Sequence, residues 1–106
     1  MTKLKMIIDG KGGGYIEDGD PATYFPEMWR EIIDKTGASS VLDVGCAEGH
    51  AMRWFKNAGL KVEGCEYSLD AIKKAPVEAV QHDLELAPYV AKKKPDIIWC
   101  CEVATY

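Results

Sequence analysis

No apolar run in this sequence approaches the roughly 20 residues that a membrane-spanning helix needs. Its start, MTKLKMIIDGKGGG, holds only a three-residue apolar patch, too short for the core of a secretory signal. The chain is therefore expected to be cytoplasmic, with no membrane partner. It has four cysteines but no C-x-x-C pair, and Cys100 and Cys101 are adjacent, where a bridge between the two would be strained. Reduced, mostly buried thiols are the expectation. His50 and His82 lack finger spacing from any cysteine, so no metal is expected. Positive charge is not in excess either. The formal net charge is -4, which repels a nucleic-acid backbone and argues against that class of partner. Lys92-Lys93-Lys94 is short and has no interleaved aromatics, as at the end of a solvated helix. Finally, there is neither a G-x-G-x-x-G nor a G-K-[ST], which disfavours dinucleotides and P-loop nucleotides.

What is present is a chain of 106 residues, 47% hydrophobic and 28% charged, the size and composition of one small globular domain. Gly10 and Gly12-Gly13-Gly14 mark residues 1–20 as a flexible N-terminal arm. Asp20-Pro21 is a capping aspartate followed by proline at a first helical position, and Phe25, Met28, Trp29, Ile32 and Ile33 recur at helical spacing up to Gly37. One amphipathic helix is expected across that stretch. Ser40 to Gly45 reads as a strand buried on both faces, and Glu48 to Ala58 as a helix stopped by Gly59. Lys61 to Glu66 is a second strand, followed by a short helix capped by Ser68 and ended by Pro76. Val77 to His82 is a weaker third strand, Leu84 to Lys94 a partly helical segment, and Ile97 to Cys101 a fourth strand. Strands alternating with helices call for a parallel sheet with right-handed crossovers, which binds ligands outside the carboxyl ends of its strands.

The unusual residues fall at those ends. Asp43-Val44-Gly45-Cys46-Ala47-Glu48-Gly49 leaves a strand and enters a helix, and its glycines let the backbone turn tightly and approach a ligand. Glu66 lies 21 residues beyond Gly45, where an acidic side chain can accept both hydroxyls of a ribose. Asp83 ends the third strand, where a carboxylate can accept an adenine amine or simply cap its loop. Three acids at three successive strand ends around one glycine turn point to a nucleoside. A carboxylate at position 43 suits a ligand carrying an ammonium or sulfonium better than a pyrophosphate.

VLDVGCAEGHAMRWF, VEGCEYSLDAI, QHDLELAP and PDIIWCCEV resemble, in this order, the cofactor motifs of class I S-adenosylmethionine-dependent methyltransferases. The resemblance covers about residues 23–106. It implies a Rossmann-like three-layer α/β sandwich with sheet order 3-2-1-4 counted from the Ser40 strand, and an S-adenosylmethionine-binding domain over residues 21–106. It implies S-adenosylmethionine as cofactor and S-adenosylhomocysteine as product. It places Asp43, Gly45, Cys46, Ala47 and Gly49 around the methionine end, Glu66 on the ribose with Tyr67 beside the base, and Asp83 and Leu84 at the adenine edge. Cys101 and Glu102 would lie near the methionine moiety and the reacting methyl, with Glu102 the candidate catalytic group and Tyr106 next to it. Tyr15 or Tyr24 would close over the site. Trp29, Trp54 and Trp99 are assigned to the core. The family usually has glycine where Ala47 stands, a substitution compatible with the turn if that residue keeps negative φ.

The family's sheet resembles seven strands in order 3-2-1-4-5-7-6, and this sequence stops just past the fourth, so it reads as a truncated form. Ile97 to Cys101 would then sit on an open edge, to be covered by a second copy of the chain or by a partner polypeptide. The methyl acceptor is unidentified by the sequence. The rival reading is a non-catalytic module that binds S-adenosylmethionine or S-adenosylhomocysteine, or regulates a partner completing its sheet; a nicotinamide enzyme is a third.

Overall fold

A computed structural model describes residues 5–8, 14–75 and 79–100. Two short strands, β1 (Met6–Ile8) and β2 (Gly14–Ile16), pair antiparallel with Ile7 opposite Tyr15. Within residues 1–20, expected to be a flexible arm, the described residues thus include a short antiparallel strand pair. A 3-10 turn over Pro21–Thr23 follows, capped by the Asp20 carboxylate, which accepts the Ala22 N–H at 2.9 Å. Helix α1 (Pro26–Thr36) starts only afterwards. The single helix expected from Pro21 is broken because Pro26 cannot donate to the preceding turn and pushes Phe25 out of the helical region, to φ -130 and ψ 61. Gly37 closes α1 with φ 66, as expected.

From here on the pattern read from the sequence and the structure coincide closely. Strand β3 (Ser40–Val44) leads to α2 (His50–Asn57), β4 (Lys61–Glu66) to α3 (Leu69–Lys74), and β5 (Val80–Gln81) and β6 (Ile97–Trp99) follow. The four strands form one parallel sheet in the order β5-β4-β3-β6, the order expected. Ser68 caps α3 by accepting the Ala71 N–H at 3.2 Å. Pro76 and Val77 lie outside the described residues. The stretch 84–94 contains turns and no helix. It is tied down instead through Glu63, whose carboxylate takes the Tyr89 hydroxyl at 2.5 Å and the Lys92 N–H at 3.1 Å.

The core is aromatic. Trp29 from α1 is 1% exposed and packs on Phe55 and Trp54 of α2 and on Trp99 of β6, with ring centroids 5.0, 5.5 and 5.3 Å away. Val41 and Leu60 complete this cluster, so all three tryptophans serve the core as expected. Burying rings of this size removes the largest apolar areas available to a small chain. Gly64 of β4 permits α2 to lie close on the sheet: a Cβ there would meet Met52 Cε at 2.7 Å and Cys46 Sγ at 3.2 Å. Among the described residues, no helix is long and apolar enough to cross a membrane. Among the described cysteines, Cys46 and Cys65 are buried free thiols, in line with the expectation of mostly buried thiols, whereas Cys100 is exposed.

Candidate functional site

Between β3 and α2 the backbone takes left-handed φ at alternate residues, 74° at Gly45, 50° at Ala47 and 79° at Gly49. The condition under which alanine would suit this turn, a negative φ, is therefore not met at Ala47. The residue accepts the strain of a conformation natural to glycine, about 1 kcal/mol. Such an alternation turns the chain sharply between strand and helix. Gly45 and Cys46 both donate to the Cys65 carbonyl, at 2.8 and 3.0 Å, which seats the turn on the end of β4. The Ala47 N–H donates to Glu66 Oε1 at 2.9 Å, and Glu66 Oε2 accepts the Ser68 N–H at 2.9 Å. The protein's own carboxylate thus anchors the turn and is fixed in one orientation. A carboxylate has about four acceptor positions, so two hydrogen bonds leave Glu66 able to receive hydroxyl donors as well.

Asp43, at the end of β3, is 4% exposed, and no hydrogen bond to its carboxylate is made among the described residues. Burial first, and the nearby Glu66 charge second, push its pKa from 3.8 up to about 7. Burial likewise raises the thiols of Cys46 and Cys65, so both are protonated packing groups and poor nucleophiles.

These groups open on a cavity of about 540 Å³, lined on the sheet side by Asp43, Gly45, Cys46, Ala47, Glu66 and Trp99, and on the other by Tyr15, Ile16, Asp18, Gly19, Asp20 and Tyr24. That volume falls within the roughly 300–1,000 Å³ typical of small-molecule sites. Of the residues expected at a cofactor, five line the cavity: Asp43, Gly45, Cys46, Ala47 and Glu66. Gly49 instead caps α2 from a buried position. Tyr67 and Leu84 do not line the cavity. Nor does Asp83, whose Oδ1 accepts the Glu85 N–H at 2.9 Å and whose carbonyl accepts from Leu86 at 3.1 Å, the loop-capping role weighed from the sequence. Cys101, Glu102 and Tyr106 lie outside the described residues. Tyr15 and Tyr24 do both face the cavity.

Sequence reasoning missed a charge cluster at the turn's far side. Glu48, 4% exposed, accepts the Asp18 N–H at 2.9 Å and meets His50 Nε2 at 3.1 Å through Oε1, while its Oε2 lies 3.4 Å from Lys74 Nζ. A hydrogen bond to the Tyr15 hydroxyl, then the Glu48 carboxylate, holds the Lys74 ammonium above its ordinary pKa. The sequence showed Glu48 inside C-A-E-G and His50 two residues on, but the partners Asp18 and Lys74 lie 30 residues upstream and 26 downstream.

A family model described as a methyltransferase domain matches residues 21–106. Among solved structures, the glycopeptide N-methyltransferase MtfA complexed with sinefungin aligns with a TM-score of 0.56 at 20% identity, over 79% of this chain and 38% of that one. The plantazolicin methyltransferase BpumL in complex with SAH aligns with a TM-score of 0.52 at 22% identity, over 68% of this chain and 30% of that one. These likenesses show the fold, and the chain spans well under half the length of either protein. No curated protein sequence matches it.

Proposed function

From the premise that this chain belongs to the methyltransferase-domain family, we propose that residues 21–106 form its S-adenosylmethionine-binding domain and that the domain serves methyl transfer. The observation that carries this reading is the pairing of Glu66 with the 45–49 turn beside the buried Asp43, at the rim of a cavity of about 540 Å³. The residues fit the group. A buried carboxylate without a hydrogen-bonding partner is costly to ionise and is relieved by a cation, and the methionine end of S-adenosylmethionine carries both an ammonium and a sulfonium. Glu66, already oriented by two backbone N–H groups, presents acceptors to ribose hydroxyls. Gly45, Cys46 and Ala47 supply a backbone surface on which no long side chain stands.

When bound, the cofactor supplies a methyl already activated by positive sulfur. The protein's contribution is then chiefly alignment and exclusion of water. Tyr15 and Tyr24 cover the cavity from the N-terminal side, and Trp99 bounds it on the sheet side. The acceptor is a second molecule that reaches the methyl from this enclosed side. MtfA and BpumL act on a glycopeptide and on plantazolicin, which supports peptide-like acceptors as the first class to try. Among the described residues no strand pairs with the outer edge of β6, where Ile98 is 65% exposed, and on this reading a second copy or a partner polypeptide supplies one.

Incubation with methyl-labelled S-adenosylmethionine tests the reading. Label should co-elute with the protein on gel filtration and pass to a peptide acceptor. Co-elution without transfer to any acceptor would favour the non-catalytic module, and no co-elution would contradict the proposal.

A further inference from the structure

We propose that Glu48 is a positioning residue: it clasps the N-terminal hairpin against the glycine turn, so that the hairpin forms the outer wall of the cavity and its release admits and frees the ligand. The proposal rests on the cavity being the cofactor site, but the clasp itself is a property of the protein without ligand.

A carboxylate as buried as Glu48 is retained only when its charge is compensated. Its compensation comes from three separate elements. Asp18, just after β2, gives its N–H; His50, the first residue of α2, gives or shares a ring proton; Lys74, the last residue of α3, gives its charge. Lys74 in turn reaches back to the hairpin, 3.4 Å from the Tyr15 hydroxyl and 3.6 Å from Glu17 Oε2, with its ammonium 5.5 Å from the centroid of the Tyr15 ring. These polar links between hairpin and body all pass through Glu48 or Lys74.

The hairpin has little to hold it otherwise. It contains three residue pairs, and an isolated two-stranded hairpin is marginally stable at best. Yet Tyr15 is only 5% exposed, with Lys74 of the body against its hydroxyl and ring. Behind the hairpin the chain runs hard against His50: a Cβ on Gly19 would stand 3.0 Å from His50 Cδ2, at φ 96. Tyr15, Ile16, Asp18 and Gly19 face Asp43, Gly45, Ala47 and Glu66 across the cavity. Elements held by few apolar contacts open at low free energy. Weakening the clasp therefore opens the wall before it touches the sheet.

Hydrogen exchange on the ligand-free full chain is the first readout. In Glu48→Gln, amides 15–19 should exchange roughly tenfold faster or more, as befits a lost charge-assisted interaction, while those of β3 and β4 keep their protection. Lys74→Met should behave like Glu48→Gln, and Lys74→Arg should restore protection. The second readout is stopped-flow tryptophan fluorescence with S-adenosylhomocysteine. Association and dissociation should both accelerate in Glu48→Gln, so that Kd changes less than either rate. Unchanged exchange at 15–19, a uniform rise that includes β3 and β4, or unaltered rates with normal binding would overturn the clasp. Failure of the unsubstituted chain to bind S-adenosylhomocysteine would remove the cofactor reading and leave the exchange result to decide the clasp.

Discussion

The N–H of Ala47 and the carboxylate of Glu66, 19 residues apart, meet at 2.9 Å. This bond joins the glycine turn to the end of the neighbouring strand. Because Glu66 also accepts from Ser68 at 2.9 Å, one side chain fixes both the turn before α2 and the start of α3. Glu66→Ala leaves two N–H groups without their acceptor, and should cost about 1–3 kcal/mol of stability in urea unfolding. Glu66→Gln, which keeps one acceptor oxygen, should cost less. Equal and negligible losses in the two variants would show that water replaces the carboxylate freely.

Ala47→Gly should stabilise the protein. At φ 50 the alanine methyl is strained, and glycine removes that strain while adding freedom to the unfolded chain. The net gain should be about 0.5–1 kcal/mol, read as a rise in Tm of a few degrees. Ala47→Val, branched at a left-handed position, should be destabilising instead. A drop in Tm for the glycine variant would mean that the alanine methyl makes contacts worth more than its strain.

Asp43 makes stability depend on pH in a definite direction. Its folded pKa of about 7 lies above the ordinary 3.8, so the folded state binds the extra proton between those values. Its stabilising contribution is complete below pH 3.8 and is lost as pH rises through 7, at about 1.4 kcal/mol per pKa unit. The difference in unfolding free energy between the protein and Asp43→Asn should therefore move in favour of Asn from pH 4 to 7 and level off above. A cationic ligand favours the ionised form. Affinity for S-adenosylmethionine should accordingly rise over the same window, with proton release at pH 6 detectable by calorimetry in buffers of different ionisation enthalpy. A pH-independent difference would place the Asp43 pKa near its ordinary value.

Gly64→Ala tests the close approach of α2 to the sheet. The new methyl would press on Met52, itself 0% exposed, and on Cys46. Overpacking of this kind costs about 1–3 kcal/mol. Shortening the obstacle in the double variant Gly64→Ala/Met52→Val should recover part of that loss, giving a favourable coupling in a double-mutant cycle. Strict additivity of the two losses would indicate that Met52 is not what the methyl meets.

The parallel sheet was legible because β3 and β4 announce themselves locally, one as a β-branched apolar run ending in glycine, the other as K-V-E-G-C-E between two turn signals. The order of the strands was legible only through the resemblance to the methyltransferase family, because right-handed crossovers alone leave several orders open. The hairpin was not legible: Met6–Ile8 and Gly14–Ile16 are too short to show a period, and the polar contacts of residues 15–18 go to the distant Glu48 and Lys74. The entry into α1 was misplaced because the Asp20-Pro21 signal is genuine but initiates only a 3-10 turn, and Pro26 restarts the helix. Asp43 and Glu66 were singled out from their places at strand ends, and both line the cavity. Glu48 was not, since only the tertiary fold brings Asp18 and Lys74 to it, and Asp83 accepts the Glu85 N–H of its own loop.

The most direct test of the central claim is calorimetric titration of the chain with S-adenosylmethionine and, in parallel, with NAD, repeated for Glu66→Ala. The account predicts micromolar binding of S-adenosylmethionine, no comparable binding of NAD, and a loss of about tenfold or more in the variant, equivalent to roughly 1.5–3 kcal/mol. Equal binding of the two ligands, or binding of S-adenosylmethionine that Glu66→Ala leaves unchanged, would contradict it.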